Sequence, residues 1–248
     1  MGNLVGLISI FVIGILIPAP SMDFKEDQLR YQRVRQAYQD KESTVKSMFA
    51  SRGLTFPPRE LLLRAFKKEK TLEVWVSDSQ ASKLKLLNTY KFCSSSGSLG
   101  PKRKQGDGQI PEGFYHIDRF NPASNFYLSL GINYPNKSDR INNLGNNLGG
   151  DIFIHGNCVT IGCIPITDDK IKELYLIAVE AKNAGQSRIP VHIFPSKDLF
   201  ANVEDLIAND SDDEKTVALW RNLNSVGKHF SSTAELKRIT IDDKGKYQ

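Results

Sequence analysis

One ten-residue stretch, Ile154 to Cys163 (IHGNCVTIGC), holds three side chains able to do chemistry: His155, Cys158 and Cys163. One imidazole and two thiols fit a metal centre, a disulfide element, or a thiol nucleophile beside its base. Structural zinc wants four ligands, usually as two close pairs. The spacing here is H-x2-C-x4-C; His116, His192 and His229 stand isolated, and no spacing ties Cys93 to the set. The zinc deaminase pattern, H-x-E with P-C-x-x-C, is absent. Metal is the weakest of the three readings, and no cofactor is expected.

Taken singly, each residue reads more readily as structure. A cysteine is more often a small buried apolar side chain than a nucleophile. The setting favours chemistry. His155 and Cys163 are eight residues apart, and Gly156 and Gly162 sit beside them. Glycine lets backbone approach a substrate closely. A helix begins just after the stretch, and its positive end is expected to lower a thiol pKa. Histidine precedes cysteine, the reverse of the papain-like order.

The elements that must position these residues follow from periodicity. Leu72, Val74 and Val76 alternate with polar residues, and Lys83 to Phe92 forms a second run, so a hairpin is expected. Ser94 to Gly113 is a long glycine-rich loop, of the kind that is functional or disordered. Phe114 to Phe120 and Asn125 to Ile132 read as strands, Asn142 to Gly150 as flexible by composition, and Asp151 to Ile154 as a short strand delivering His155. Thr167 caps a helix whose apolar face is Ile171, Leu174, Tyr175 and Ala178, and Gly185 stops it. Ile189 to Phe194 is a strand, and Lys197 to Ala208 and Asp212 to Phe230 are helical. Glu26 to Ala50 reads as a polar accessory helix lying on the domain, ended by Gly53 and Pro57-Pro58. Strands come first and helices later, which predicts one domain of α+β class.

The chain has 248 residues, 40% hydrophobic, with a net charge of +5. That composition builds an ordinary core and favours acidic surroundings. No Lys/Arg cluster interleaves with aromatics along one face, so nucleic acid is not an expected partner. Leu4 to Ile17 is an apolar run too short to span a membrane, which takes roughly 20 residues. It has the length of an export-signal core, with small residues Ala19-Pro20-Ser21 and cleavage expected before Met22. No Lys or Arg precedes it, so a buried helix or a short anchor is the alternative. Export to the periplasm or cell envelope is expected, with membrane contact only through an uncleaved N-terminus.

The stretch resembles the L,D-transpeptidase catalytic domain (the YkuD-like domain), whose signature is an upstream His-Gly and a downstream Ser/Thr-His-Gly-Cys. It is most similar to the YafK-like branch, through SGSLGPKRKQGDGQIPEGFY (Ser96 to Tyr115), NPASNFYLSLGINYPNKSDR (Asn121 to Arg140), GGDIFIHGNCVTIGC (Gly149 to Cys163) and LWRNL (Leu219 to Leu223). The resemblance covers Leu61 to Phe230. It implies a mainly antiparallel β core, an L,D-transpeptidase-type sandwich with flanking helices. The expected organisation is a signal or anchor at 1–21, a helical lead-in at 22–60, the catalytic domain at 61–230 and a loose tail at 231–248.

By the same resemblance Cys163 is the nucleophile and His155 the general base. The Gly156 carbonyl orients the ring, and backbone N–H groups at Gly162 and Cys163 form an oxyanion hole. Thr160 stands at the Ser/Thr position, on the substrate side. Ile161 replaces the family's histidine, and Pro165 stands where arginine is frequent. These departures put strict transpeptidase activity in question. The implied reaction is acyl transfer on peptidoglycan stem peptides: a Cys163 thioester at the diamino acid carbonyl, resolved by an amine or by water. Hydrolysis would match the YafK-like branch, which includes enzymes releasing a wall-linked lipoprotein. A catalytically silent wall-binding module is the alternative of another class. Tyr134, Asp139 and Arg140 either hold substrate or fix a turn around Pro135. Lys102, Arg103 and Lys104 read first as a solvated charge run and second as substrate steering; Glu112 reads as structural. Cys93 and Cys158 remain. In an exported protein they are a candidate disulfide bracing the loop, and the sequence leaves their separation open.

Overall fold

The structure, a computed structural model, describes residues 23–79 and 83–248. The expected signal or anchor at 1–21 lies outside the described residues. Among those described, no helix is long and apolar enough to cross a membrane.

Eight strands form one mixed sheet in the order β3-β2-β1-β8-β4-β5-β6-β7. They are β1 (Glu60–Phe66), β2 (Thr71–Ser77), β3 (Lys85–Lys91), β4 (Gly113–Asn121), β5 (Ser129–Ile132), β6 (Phe153–His155), β7 (Ile164–Pro165) and β8 (Pro190–Phe194). Only β1–β8 and β6–β7 are parallel, so the sheet is mainly antiparallel and the class is α+β. The strand β4 serves two sectors, pairing with β8 through its first half and with β5 through its second. The register shifts between Ile117 and Arg119, a bulge that bends the strand between the two sectors.

Both sectors turn one face to a single core. Leu61, Leu63, Val74, Leu130, Ile154 and Val191 meet there with the helices α2 (Gln32–Ser51) and α4 (Asp168–Asn183). A short helix, α1 (Phe24–Leu29), precedes α2. The lead-in is therefore no accessory. Val34, Ala37, Val45 and Phe49 of α2 are each at most 1% exposed. Two glutamates on the buried side of α4 anchor it: Glu180 accepts from Tyr38 at 3.0 Å, and Glu173 pairs with Lys41 at 3.3 Å and accepts from Tyr90 at 3.0 Å. A buried carboxylate needs such partners, and here they tie α4 to α2 and β3.

The other face of β1, β4 and β8 carries Phe66, Phe114 and Phe194, covered by α5 (Asp198–Ala201), α6 (Val203–Asp210) and α7 (Glu214–Thr233). The expected helix Lys197 to Ala208 is thus two helices, broken where Asn202 leaves helical conformation to cap α6. One further helix, α3 (Lys137–Asn142), follows β5. Tyr247 returns from the tail to the same cluster and is 2% exposed. Its hydroxyl accepts from Asn136 at 2.9 Å, and its backbone bonds Asn222. The tail expected to be loose is instead part of this layer, because one aromatic side chain in a polar run suffices to pin it.

Candidate active site

The site is laid out by strand register. Ile154 pairs with Ile164 and His155 with Pro165, in parallel. Cys163 stands immediately before β7, so this pairing brings the start of β7 beside the end of β6. Leu130, Ile154 and Ile164 lie side by side across β5, β6 and β7 and are all 0% exposed. His155 is thus fixed by a strand that makes the core, and Cys163 adjoins another.

His155 is 1% exposed. Its ring Nδ1–H donates to the carbonyl of Gly156, which leaves the Nε2 lone pair as the base. The ring packs against Phe126, centroids 4.6 Å apart. Burial pushes its pKa below the usual imidazole value, and the bond to Gly156 only partly offsets that. Gly156 must be glycine: a Cβ there would meet Asp168 Oδ1 and come within 2.8 Å of the Phe126 carbonyl.

Cys163 is the free cysteine and is half-buried. Its thiol donates to the Asp151 carbonyl at 3.7 Å. Burial raises its pKa, with Asp151 adding to the rise and the Phe153 backbone and Lys102 opposing it. This reverses the expectation of a lowered thiol pKa. The dipole of α4 is spent locally: Asp168 Oδ1 in its first turn accepts the Asn157 N–H at 2.7 Å. At rest the pair is a neutral thiol and a neutral imidazole.

The loop between them is braced at several points. Cys158 is disulfide-bonded to Cys93, Cα atoms 5.3 Å apart. The Cys93 N–H also reaches the Pro165 carbonyl at 3.0 Å, so the end of β3 clamps both sides of the loop. The Thr160 hydroxyl accepts from the Cys163 N–H and donates to the Cys163 carbonyl, both at 2.8 Å. The Gly162 N–H donates to Ser96 Oγ at 2.7 Å, and Ser96 in turn donates to the Gly108 carbonyl at 2.9 Å. Both N–H groups assigned to an oxyanion hole are therefore bonded inside the protein at rest. Thr160 is thereby held on Cys163, whose backbone it bonds twice.

Three more residues were expected either to hold substrate or to fix a turn around Pro135. Tyr134 is buried and donates to the carbonyls of Lys102 and Leu148 at 3.3 and 3.4 Å. Asp139 accepts the Asn136 N–H at 2.9 Å in a capping box that starts α3, and accepts from Tyr115 at 3.1 Å. Burial lifts its pKa to about 7. Arg140 is exposed in the last turn of that helix. Tyr134 and Asp139 therefore spend their polar groups on the fold around Pro135, while the Arg140 side chain is exposed. The charge run is not a solvated one: Lys102 is 5% exposed and bound to Asp107 at 2.6 Å, while Arg103 bonds Asn143 at 3.3 Å. Glu112 is structural as expected, fully buried between Lys67, Trp220 and the Gly100 N–H. Among the described residues no group of three His, Cys, Asp or Glu could hold a metal ion.

Sequence reasoning missed two residues. Ser96 stabilises the nucleophile loop from the glycine-rich segment, and its only signal was its place in a serine run. Ser129 on β5 stands opposite His155, is 1% exposed, and its hydroxyl has no partner.

Comparison with known proteins bears on this site. A family model described as the L,D-transpeptidase catalytic domain matches residues 63–193. YafK of Escherichia coli (strain K12), which carries an L,D-transpeptidase name, is 33% identical over 181 residues, 72% of this chain and 70% of that protein. Among solved structures, the helical cell shape determining protein Pgp2 of Campylobacter jejuni is 20% identical over 80% of both chains, with a TM-score of 0.44. Mycobacterium tuberculosis L,D-transpeptidase 1 is 16% identical over 54% of this chain and 62% of that one, with a TM-score of 0.30.

Proposed function

The chain belongs to the L,D-transpeptidase catalytic-domain family, and from that premise we propose that it is a peptidoglycan-modifying cysteine acyltransferase. The observation that supports the reading is a free Cys163 thiol at the start of β7, the strand paired with β6 at His155, whose tautomer is set by Gly156.

The reaction follows from that geometry. His155 Nε2 takes the thiol proton as Sγ attacks the carbonyl carbon of the diamino acid in a stem peptide. The C–N bond of the scissile amide breaks, and the imidazolium returns the proton to the leaving amine. The resulting thioester is resolved by an incoming amine, giving a cross-link or an attached protein, or by water, giving hydrolysis. The oxyanion needs donors, and the nearest are the Gly162 and Cys163 N–H groups. They serve only if Ser96 and Thr160 release them, so acylation is coupled to a small rearrangement of the loop. The reading includes an exported protein, acting on the wall of the cell envelope, with a wall-linked lipoprotein as a candidate partner.

Digestion of purified sacculi by wild type and Cys163→Ala, followed by mass analysis of the muropeptides, tests this. New cross-links identify transpeptidation, and shortened or released peptides identify hydrolysis. Binding without product would make the domain a silent wall-binding module, and wild-type levels of product from Cys163→Ala protein would sink the nucleophile assignment.

A further inference from the structure

A pocket lies away from the nucleophile, where the tail crosses the first half of β4. Two adjoining chambers of about 420 and 440 Å³ share Phe114, His192, Tyr247 and the segment 236–239. Volumes of this size match small-ligand sites. Phe114 and His192 are partners across β4 and β8, so both side chains face the pocket's side of the sheet.

The floor is polar in an unusual way. His192 is only 4% exposed, yet lines both chambers. Among the described residues no group hydrogen-bonds its imidazole; its neighbours are Phe114 at 4.8 Å and Phe194 at 6.1 Å between centroids. Burial and the nearby Arg64 push its pKa down to about 3. It is a neutral ring with a donor and an acceptor, set in an aromatic wall and unused by the fold. Its ring nitrogens have no protein partner among the described residues and open on the cavity, where a ligand can reach them.

The rim supplies the charge. Lys137, Arg188, Lys237 and Arg238 line the first chamber, and no acidic residue lines it. Arg188 is held by His116 Nδ1 at 3.0 Å, and Lys137 reaches the exposed Asp243 at 3.0 Å. Lys237 and Arg238 belong to the tail segment itself. Cations above an apolar wall and a neutral hydrogen-bonding floor suit a ligand carrying carboxylates outside and an amide inside.

We propose that this pocket is a second binding site, separate from Cys163, for short acidic peptides. The carboxylates lie among Arg188, Lys237 and Arg238, and a backbone amide bonds His192 against Phe114. Under the function proposed above, carboxylate-bearing stem peptides are the natural source; the pocket's own chemistry does not depend on that reading.

The test is calorimetric titration of the full chain with N-acetyl-triglutamate, alongside its neutral isostere N-acetyl-triglutamine, with histidine ring resonances followed by NMR. Saturable binding of triglutamate only, a shift at His192, and binding about tenfold weaker in Arg188→Ser/Arg238→Ser are expected. Cys163→Ala binds as wild type does, so failure of the acyl-transfer reading leaves the titration unchanged. Equal binding of triglutamine, a shift at His155 in place of His192, an unaffected arginine double variant, or no saturable binding would each overturn the proposal.

Discussion

Thr160 and Cys163 are joined twice: one hydroxyl accepts from the cysteine N–H and donates to its carbonyl, each at 2.8 Å. That double link sets where the thiol points. Thr160→Val keeps the shape and loses both bonds. Thioester formation is expected to slow about 10- to 100-fold, because small misplacement of a nucleophile is costly. Thr160→Ser restores most of the rate. Single-turnover mass spectrometry measures both, and equal rates in all three proteins would refute the brace.

The resting charge state predicts a pH profile. Burial lowers the pKa of His155 and raises that of Cys163. The imidazole therefore stays neutral, and available as a base, below the usual imidazole range. The thiol stays protonated through neutrality. Iodoacetamide, which needs thiolate, is expected to react with an inflection above the ordinary thiol value of about 8.5. Acylation by substrate is expected to fall only below about pH 6.5, as His155 gains its proton. Fast alkylation at pH 7 would show an ion pair at rest and defeat the prediction.

The Cys93–Cys158 bond closes a loop of 65 residues. Such a bond typically stabilises by about 2–4 kcal/mol. Cys93→Ser/Cys158→Ser is expected to unfold at lower denaturant by that amount, and to lose acylation rate as the nucleophile loop loosens. Both cysteines are exposed, so dithiothreitol on the wild type should reproduce the effect. An unchanged midpoint in the double variant counts against the bridge.

Asp139 links stability to pH. Its folded pKa is raised to about 7, above its unfolded value, so the native state holds the proton more tightly. The stabilising contribution is complete below about pH 4 and lost as pH rises toward 7. Asp139→Asn keeps an acceptor for Tyr115 and removes the titration. Wild type minus variant stability should therefore fall between pH 4 and 7, measured by urea unfolding; a flat difference excludes the linkage.

Ser129→Ala removes a buried hydroxyl that lacks a partner. The variant is expected to gain about 1 kcal/mol in stability, since the desolvation cost of the group disappears. Denaturant midpoints decide it, and a loss of stability means the hydroxyl has a partner after all.

Local signals carried most of what was legible. The short loop from His155 to Cys163 was readable because both its ends lie within ten residues and carry glycine. The start of α4 was readable because Thr167 caps it within one turn. The missed strand β1 had no alternation to read: Leu61, Leu62 and Leu63 are all 0% exposed, since cores lie on both its faces. Ser96 and Gly162 meet across 66 residues, a separation no periodicity encodes. The thiol pKa was misjudged because burial, which raises it, depends on tertiary packing that local sequence does not encode.

The middle of the sheet joins the two ends of the domain, with Leu63 beside Val191. Such a pairing has very high contact order, and chains dominated by it fold slowly. On the ribosome β1 is made early and keeps one edge open until β8 exists. The newly made chain thus carries an apolar strand with unpaired backbone for about half of its synthesis, the kind of surface that holding chaperones bind and that aggregates when they are absent.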